Sequence, residues 1–171
     1  MTDNDNIKTD LPVRRPESGL AVGGRLTPAK DVISDLKCRE LIRIATGMMK
    51  NSYVPYSHFH VGAALMTRAG KIYTGCNIEN SSYGATNCAE RTAIFKAVSE
   101  GEREFEAIAV VGHKRGEKPT EYAFPCGICR QVMAEFCKND FVIIVAVSQD
   151  DYKEYTLSEL LPEAFGSACI K

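Results

Sequence analysis

No stretch of the chain approaches the roughly 20 consecutive apolar residues that a bilayer-crossing helix requires, so no membrane-spanning helix is expected. The first ten residues, Met1 to Asp10, are polar and lack the apolar core of a secretory signal, which makes the cytoplasm the expected location. Long runs of lysine or arginine are also missing, and the net charge is only −1. Proteins that hold nucleic-acid backbone draw most of their affinity from phosphate contacts and show a basic stripe. A small-molecule ligand is therefore expected, with neither nucleic acid nor membrane as partner. Internal repeats and a second domain are absent. A disulfide framework is excluded too: the seven cysteines are an odd number, and two of them stand as Cys126-Gly-Ile-Cys129. In a cytoplasmic protein that spacing points to metal or redox chemistry.

What is present is enough for one compact domain with a real core: 171 residues, 44% of them hydrophobic. Residues 1–33 are mostly polar, broken by Pro12, Pro16, Gly19, Gly23, Gly24 and Pro28, and read as a flexible extension. The folded domain is expected over 34–171. From Ser34, the residues Leu36, Leu41, Ile42, Ala45, Met48 and Met49 recur at helical spacing, and Asn51, Ser52 and Pro55 end that helix. Phe59, Val61, Ala63 and Leu65 alternate as in a strand, and Arg68-Ala-Gly70 turns the chain into a second strand to Cys76. A polar loop, 77–87, leads into a helix from Cys88 closed by Gly101. Phe105 to Val111 reads as a strand buried on both faces, and His113 to Tyr122 as a hydrophilic loop. A short helix follows over Gly127 to Cys137, then a buried strand from Phe141 to Val147 and an edge strand from Tyr152 to Tyr155. Thr156-Leu-Ser-Glu159 has the pattern of a capping box opening a last short helix. This order implies an α/β fold, a three-layer α/β/α sandwich around a mixed five-stranded sheet.

Three cysteines stand out by position. Cys88 opens one expected helix, and Cys126 and Cys129 open another. Free N–H groups and the helix dipole favour anions at such ends, which lowers the pKa of a thiol placed there. Three converging thiolates would make a tetrahedral zinc site with its fourth position open, the mark of a catalytic rather than a structural site. Glu90 follows Cys88 by two residues and would sit beside that position. Zinc lowers the pKa of bound water to roughly 7, and a neighbouring carboxylate can shuttle the released proton. Taken alone, the CxxC pair reads equally as a redox pair or half of a structural zinc site. With Pro125 in front and Cys88-Ala-Glu90 upstream, the set matches the zinc deaminase signature, H-x-E…P-C-x-x-C in its three-cysteine form. Spacing by itself gives only a catalytic zinc hydrolase.

Several stretches together resemble one family. Tyr56-Ser-His-Phe-His-Val-Gly-Ala-Ala-Leu65, Gly75-Cys-Asn-Ile-Glu-Asn-Ser-Ser-Tyr-Gly84, Cys88-Ala-Glu-Arg-Thr-Ala93, Pro125-Cys-Gly-Ile-Cys-Arg-Gln-Val132 and Leu160-Leu-Pro-Glu-Ala-Phe165 are similar to segments of the cytidine deaminases, in their small, homotetrameric, three-cysteine zinc type. The likeness spans Leu36 to about Phe165. One departure is Phe124, where serine commonly precedes Pro-Cys; it is not a ligand position. The resemblance implies a cytidine deaminase-like fold and a hydrolase of pyrimidine salvage. Such an enzyme removes the 4-amino group of free cytidine and 2′-deoxycytidine by attack of zinc-activated hydroxide at C4. It also implies one Zn²⁺ per chain on Cys88, Cys126 and Cys129, with Glu90 as proton shuttle. Asn77 and Glu79 would hydrogen-bond the ribose 3′-hydroxyl, Phe59 would pack on the pyrimidine, and the backbone of Ala89 would touch the base. Tyr83 and Phe165 would complete the active site of a neighbouring subunit in a homotetramer. Arg91 would draw charge from the thiolates, since three of them leave the metal with about one excess negative charge, and Gln131 would orient Arg91.

Other residues have plainer readings. His58 and His60, at i and i+2 of a strand, are read as surface or satisfied histidines, and His113 as an exposed loop residue. Cys38, Cys76, Cys137 and Cys169 are read as small, mostly buried apolar residues. Tyr53 and Tyr56 are both candidates for the pocket mouth. Three other functions remain in competition. A polynucleotide or tRNA deaminase needs basic or aromatic strand contacts. A deaminase of a cytosine-nucleoside antibiotic such as blasticidin S shares the zinc motifs. A structural zinc module wants a fourth protein ligand, which no further cysteine or histidine pair at the right spacing supplies.

Overall fold

The computed structural model describes residues 33–114, 116–117, 120–166 and 169–170. The expected extension over 1–33 lies outside the described residues except for Ile33, which is buried in the core beside the first helix.

Helix α1 (Asp35–Met48) starts at Ser34, whose hydroxyl accepts the N–H of Lys37, a standard N-cap. Its buried face is Cys38, Leu41, Ile42 and Ala45, continued by Met49 in a single 3₁₀ turn (Met49–Asn51). Leu36, expected on that face, is 79% exposed. The i, i+3, i+4 stripe runs through Cys38 instead, one turn below Leu41 and Ile42.

Strands β1 (Phe59–Thr67) and β2 (Ile72–Cys76) form the expected hairpin. Helix α2 (Ala89–Ser99), strand β3 (Phe105–Lys114), helix α3 (Gly127–Phe136), strand β4 (Val142–Ala146), strand β5 (Tyr152–Thr156) and the short helix α4 (Leu157–Leu160) complete the described domain. The sheet order is β2-β1-β3-β4-β5, with only β3 and β4 parallel. The capping box is present: the hydroxyl of Thr156 accepts the N–H of Glu159, and the Glu159 carboxylate accepts that of Thr156.

Alternation along the strands divides the core in two. Ala64 and Met66 of β1, with Ala107, Ala109 and Val111 of β3, pack against α1. Ala63 and Leu65, with Ile108 and Val110, face α2 and α3. Each side chain step across the pleat changes face, so the sheet is sandwiched as expected. Close approach depends on two glycines. A Cβ on Gly62 would lie 1.9 Å from the carbonyl oxygen of Ala45 in α1, and one on Gly75 would lie 2.2 Å from that of Ala89 in α2.

Two expectations about histidines need correction. His113 is not in a loop: β3 runs on to Lys114 because β1 continues to offer ladder partners, Phe59 to Lys114 and His60 to His113. Backbone pairing outweighs the polarity of the segment. His58 is not a strand neighbour of His60, since it precedes β1 with a φ of 56°, in the left-handed region. Cys38 and Cys76 are buried as expected and Cys137 partly so, but Cys169 is exposed.

Candidate metal centre and active site

Two helix starts build the centre. Cys88 is the N-cap of α2 and Cys126 that of α3, both with extended backbone, while Cys129 lies one turn inside α3. The α2 start is fixed by its contact with β2 through Gly75. The Sγ atoms of Cys88 and Cys126 are 3.8 Å apart, those of Cys126 and Cys129 3.5 Å, and all three fall within 4.8 Å of one another. Corners of a tetrahedron around zinc, at Zn–S bonds of about 2.3 Å, are separated by about 3.8 Å. The donor set therefore fits Zn²⁺ and leaves one of four positions without a protein ligand.

The surroundings act on the thiols of Cys88 and Cys129 in opposite directions. A hydrogen bond from Cys129, aided by Arg91, lowers the Cys88 thiol to about 5. The same bond to Cys88, together with burial, pushes Cys129 up. The guanidinium of Arg91 donates to the Thr86 carbonyl at 2.9 Å and reaches Cys88 Sγ at 3.7 Å. Its buried Nε has no hydrogen-bond partner. Burial works against the Arg91 charge and is outweighed by Cys88 and Cys129 together. A cation kept in place with one donor unspent fits a centre that carries excess negative charge.

Glu90, in the first turn of α2, is 4% exposed. Burial pushes its carboxyl up to about 7, and the charge of Cys88 adds to the rise. A carboxyl in that range accepts and releases a proton near neutrality, as a shuttle must. Ala89, the first residue of α2, is fully buried, its carbonyl against Gly75.

A second group of residues lies around the end of β2. The side chain of Asn77 spans to β1, accepting from the N–H of Val61 at 2.9 Å and donating to the carbonyl of Phe59 at 2.8 Å. One carboxylate oxygen of Glu79 accepts the N–H groups of Tyr56 (2.9 Å) and Ser57 (3.3 Å). The Ser57 contact and these backbone donors hold the Glu79 carboxyl below the usual range. Glu79 lines a cavity of about 410 Å³ with Tyr56, Ser57, Tyr83 and Thr86. Tyr56 and Tyr83 meet edge to face, with ring centroids 6.0 Å apart. Of the two tyrosines left open by the sequence, Tyr56 is the cavity residue, while Tyr53 bridges to Ile78 through its backbone. Phe59 borders a separate cavity, between Gly112 and the loop to Ala123.

The expected partnership of Gln131 with Arg91 is not found. Gln131 donates instead to the carbonyl of Phe165 at 2.7 Å, fastening the C-terminal segment to α3. Tyr83 is 77% and Phe165 61% exposed in the single chain. Thr86 is a residue of the site that the sequence reading did not single out: its carbonyl accepts from Arg91, its hydroxyl accepts the N–H of Asn80, and it lines the Glu79 cavity. A loop threonine whose backbone carries the contact leaves no trace in residue spacing.

Comparison with known proteins adds three kinds of finding. Residues 37–145 match the model of the cytidine and deoxycytidylate deaminase zinc-binding region. A cytidine deaminase of Halalkalibacterium halodurans is 54% identical over 125 residues, covering 73% of this chain and 91% of the relative. The blasticidin-S deaminase of Bacillus cereus is 33% identical, covering 72% and 88%. Among solved structures, a cytidine deaminase from Burkholderia pseudomallei superposes with a TM-score of 0.67 at 48% identity, covering 74% of this chain and 97% of that one.

Proposed function

The chain belongs to the cytidine and deoxycytidylate deaminase family, and from that premise we propose that it is a zinc-dependent cytidine deaminase. It hydrolyses free cytidine and 2′-deoxycytidine to the uracil nucleosides and ammonia, a step of pyrimidine salvage. The observation that carries this reading is the cysteine triad, with all sulfurs within 4.8 Å, beside the buried carboxyl of Glu90.

Zinc held by Cys88, Cys126 and Cys129 supplies a Lewis acid that makes water a nucleophile near neutral pH. Glu90 takes one proton from the attacking water and delivers it to N3, then takes the proton of the new C4 hydroxyl and delivers it to the 4-amino group as the C4–N bond breaks. Arg91 withdraws electron density from Cys88, offsetting the charge of three thiolates. Phe59 packs on the pyrimidine, and the main chain of Ala89, at the start of α2, contacts the base. Asn77 and Glu79 read the ribose 3′-hydroxyl, a group that is blocked by phosphate inside a polymer. The bonds of Asn77 to β1 and of Glu79 to Tyr56 and Ser57 support this by fixing both side chains before substrate arrives. Gln131 acts by holding the Phe165 segment. The exposure of Tyr83 and Phe165 supports a homotetramer in which they complete neighbouring sites. A thiolate zinc centre also suits a reducing compartment, the cytoplasm. The catalytic domain is 34–171, with 1–33 an extension.

The test is ammonia release from cytidine, run beside a short cytosine-containing single-stranded DNA and blasticidin S. Zinc content and sedimentation mass are measured on the same sample. Turnover of cytidine with about one zinc per chain is the expected result. Zinc without cytidine turnover refutes the substrate, and turnover of blasticidin S alone would reassign it.

A further inference from the structure

The sheet face opposite the cysteine triad carries a second constellation. His60 on β1 is directly opposite His113 on β3 in the antiparallel register. Residues so opposed stand on one face, with Cβ atoms about 4.5–5.5 Å apart. Both line a cavity of about 270 Å³ with Thr46, Met49 and Lys50, at the end of α1 and the 3₁₀ turn after it. Cys88 and Cys129 of the triad belong to the other core, under α2 and α3.

Hydrogen bonds decide which nitrogen of each ring is available. Nδ1 of His60 lies 3.2 Å from the carbonyl oxygen of Met49, and Nδ1 of His113 lies 2.8 Å from that of Lys114. A carbonyl oxygen only accepts, so both neutral rings carry their proton on Nδ1 and their lone pair on Nε2. Two such rings line one cavity, and each has on Nδ1 the main-chain carbonyl partner that metal-ligating histidines commonly have. The cavity has room for waters to fill further coordination positions, at about 30 Å³ each. An anion would gain from Lys50 but would meet the two Nε2 lone pairs, whereas a metal ion needs those lone pairs and the flexible Lys50 side chain can turn to solvent.

We propose that His60 and His113 form a binding site for a divalent transition-metal ion of the imidazole-preferring class, Ni²⁺, Cu²⁺ or a second Zn²⁺. The site is separate from the cysteine centre and bridges β1 to β3 one residue from Phe59.

Nickel is the probe, because it binds imidazole without oxidising thiols. Zinc-loaded full-length protein is titrated with Ni²⁺ by calorimetry near neutral pH, and both metals are counted after dialysis. The expected result is one Ni²⁺ per chain above an unchanged zinc content, with an increase in Tm. The chain has only three histidines, so three variants cover all of its imidazoles. His60→Gln and His113→Gln each weaken nickel binding at least tenfold, and His58→Gln leaves it unchanged. Circular dichroism establishes that the variants fold. Nickel uptake that is undiminished in His60→Gln or in His113→Gln relative to the unsubstituted protein, or that matches zinc lost from the cysteines, overturns the proposal. So does binding of inorganic phosphate, lost in the same variants, without any uptake of nickel. Cytidine turnover in the same samples separates the two readings: its failure would refute the deaminase and leave the nickel result standing.

Discussion

A carboxyl and a guanidinium one residue apart on α2 meet different surroundings: Glu90 is buried, while Arg91 reaches the Thr86 carbonyl and Cys88 Sγ. Glu90 is 4% exposed and its carboxyl is lifted to about 7 by burial. Glu90→Gln keeps the shape and removes the titrating group, so turnover should fall by about 10²–10⁴-fold while zinc per chain stays constant. Parallel loss of metal would make Glu90 a structural residue. Arg91 contacts Cys88 Sγ at 3.7 Å. Arg91→Ala leaves more electron density on the thiolates and raises the pKa of the water they help to activate. Activity should drop about 10–100-fold, and the acid limb of the kcat profile should move to higher pH. A profile that keeps its shape would remove Arg91 from the chemistry. The cysteine triad was legible in the sequence because its chemistry depends on residue type at short spacing. Gln131 was misassigned because its partner is a main-chain carbonyl 34 positions away, and carbonyls carry no sequence signature.

At the scale of elements, α2 is seated by the missing side chain of Gly75. Gly75→Ala would put a methyl group 2.2 Å from the Ala89 carbonyl and 2.6 Å from the Ala93 nitrogen. Both are backbone atoms, so the whole helix must move. Urea unfolding should show a loss of about 1–3 kcal/mol, and zinc should exchange faster because Cys88 rides on the shifted helix. Undiminished stability and metal retention would mean that the helix start is positioned some other way. Every α-helix and β-strand among the described residues was legible from apolar period and turn chemistry, and the Thr156–Glu159 capping box was read residue for residue. The failures have one cause. The end of β3 at His113 and Lys114 exists because β1 supplies ladder partners, and Leu36 lies outside because the face α1 shows depends on where the sheet lies. Both are long-range facts that a local pattern does not contain.

For the molecule as a whole, the triad joins α2 to α3, two helices that enter the chain on either side of β3. Chelation should therefore lower Tm as well as abolish activity, and readdition of zinc should restore both. A ligand at a hundred times its Kd contributes about 2.7 kcal/mol to stability. An unchanged Tm would mean that the packing of α2 and α3 needs no help from the ion. Cys126 and Cys129 stand three positions apart at the start of α3, whereas Cys88 lies 38 positions before Cys126, across β3. The three-thiol centre therefore exists only where the central crossover is in place, and full-affinity zinc binding is a readout of that crossover.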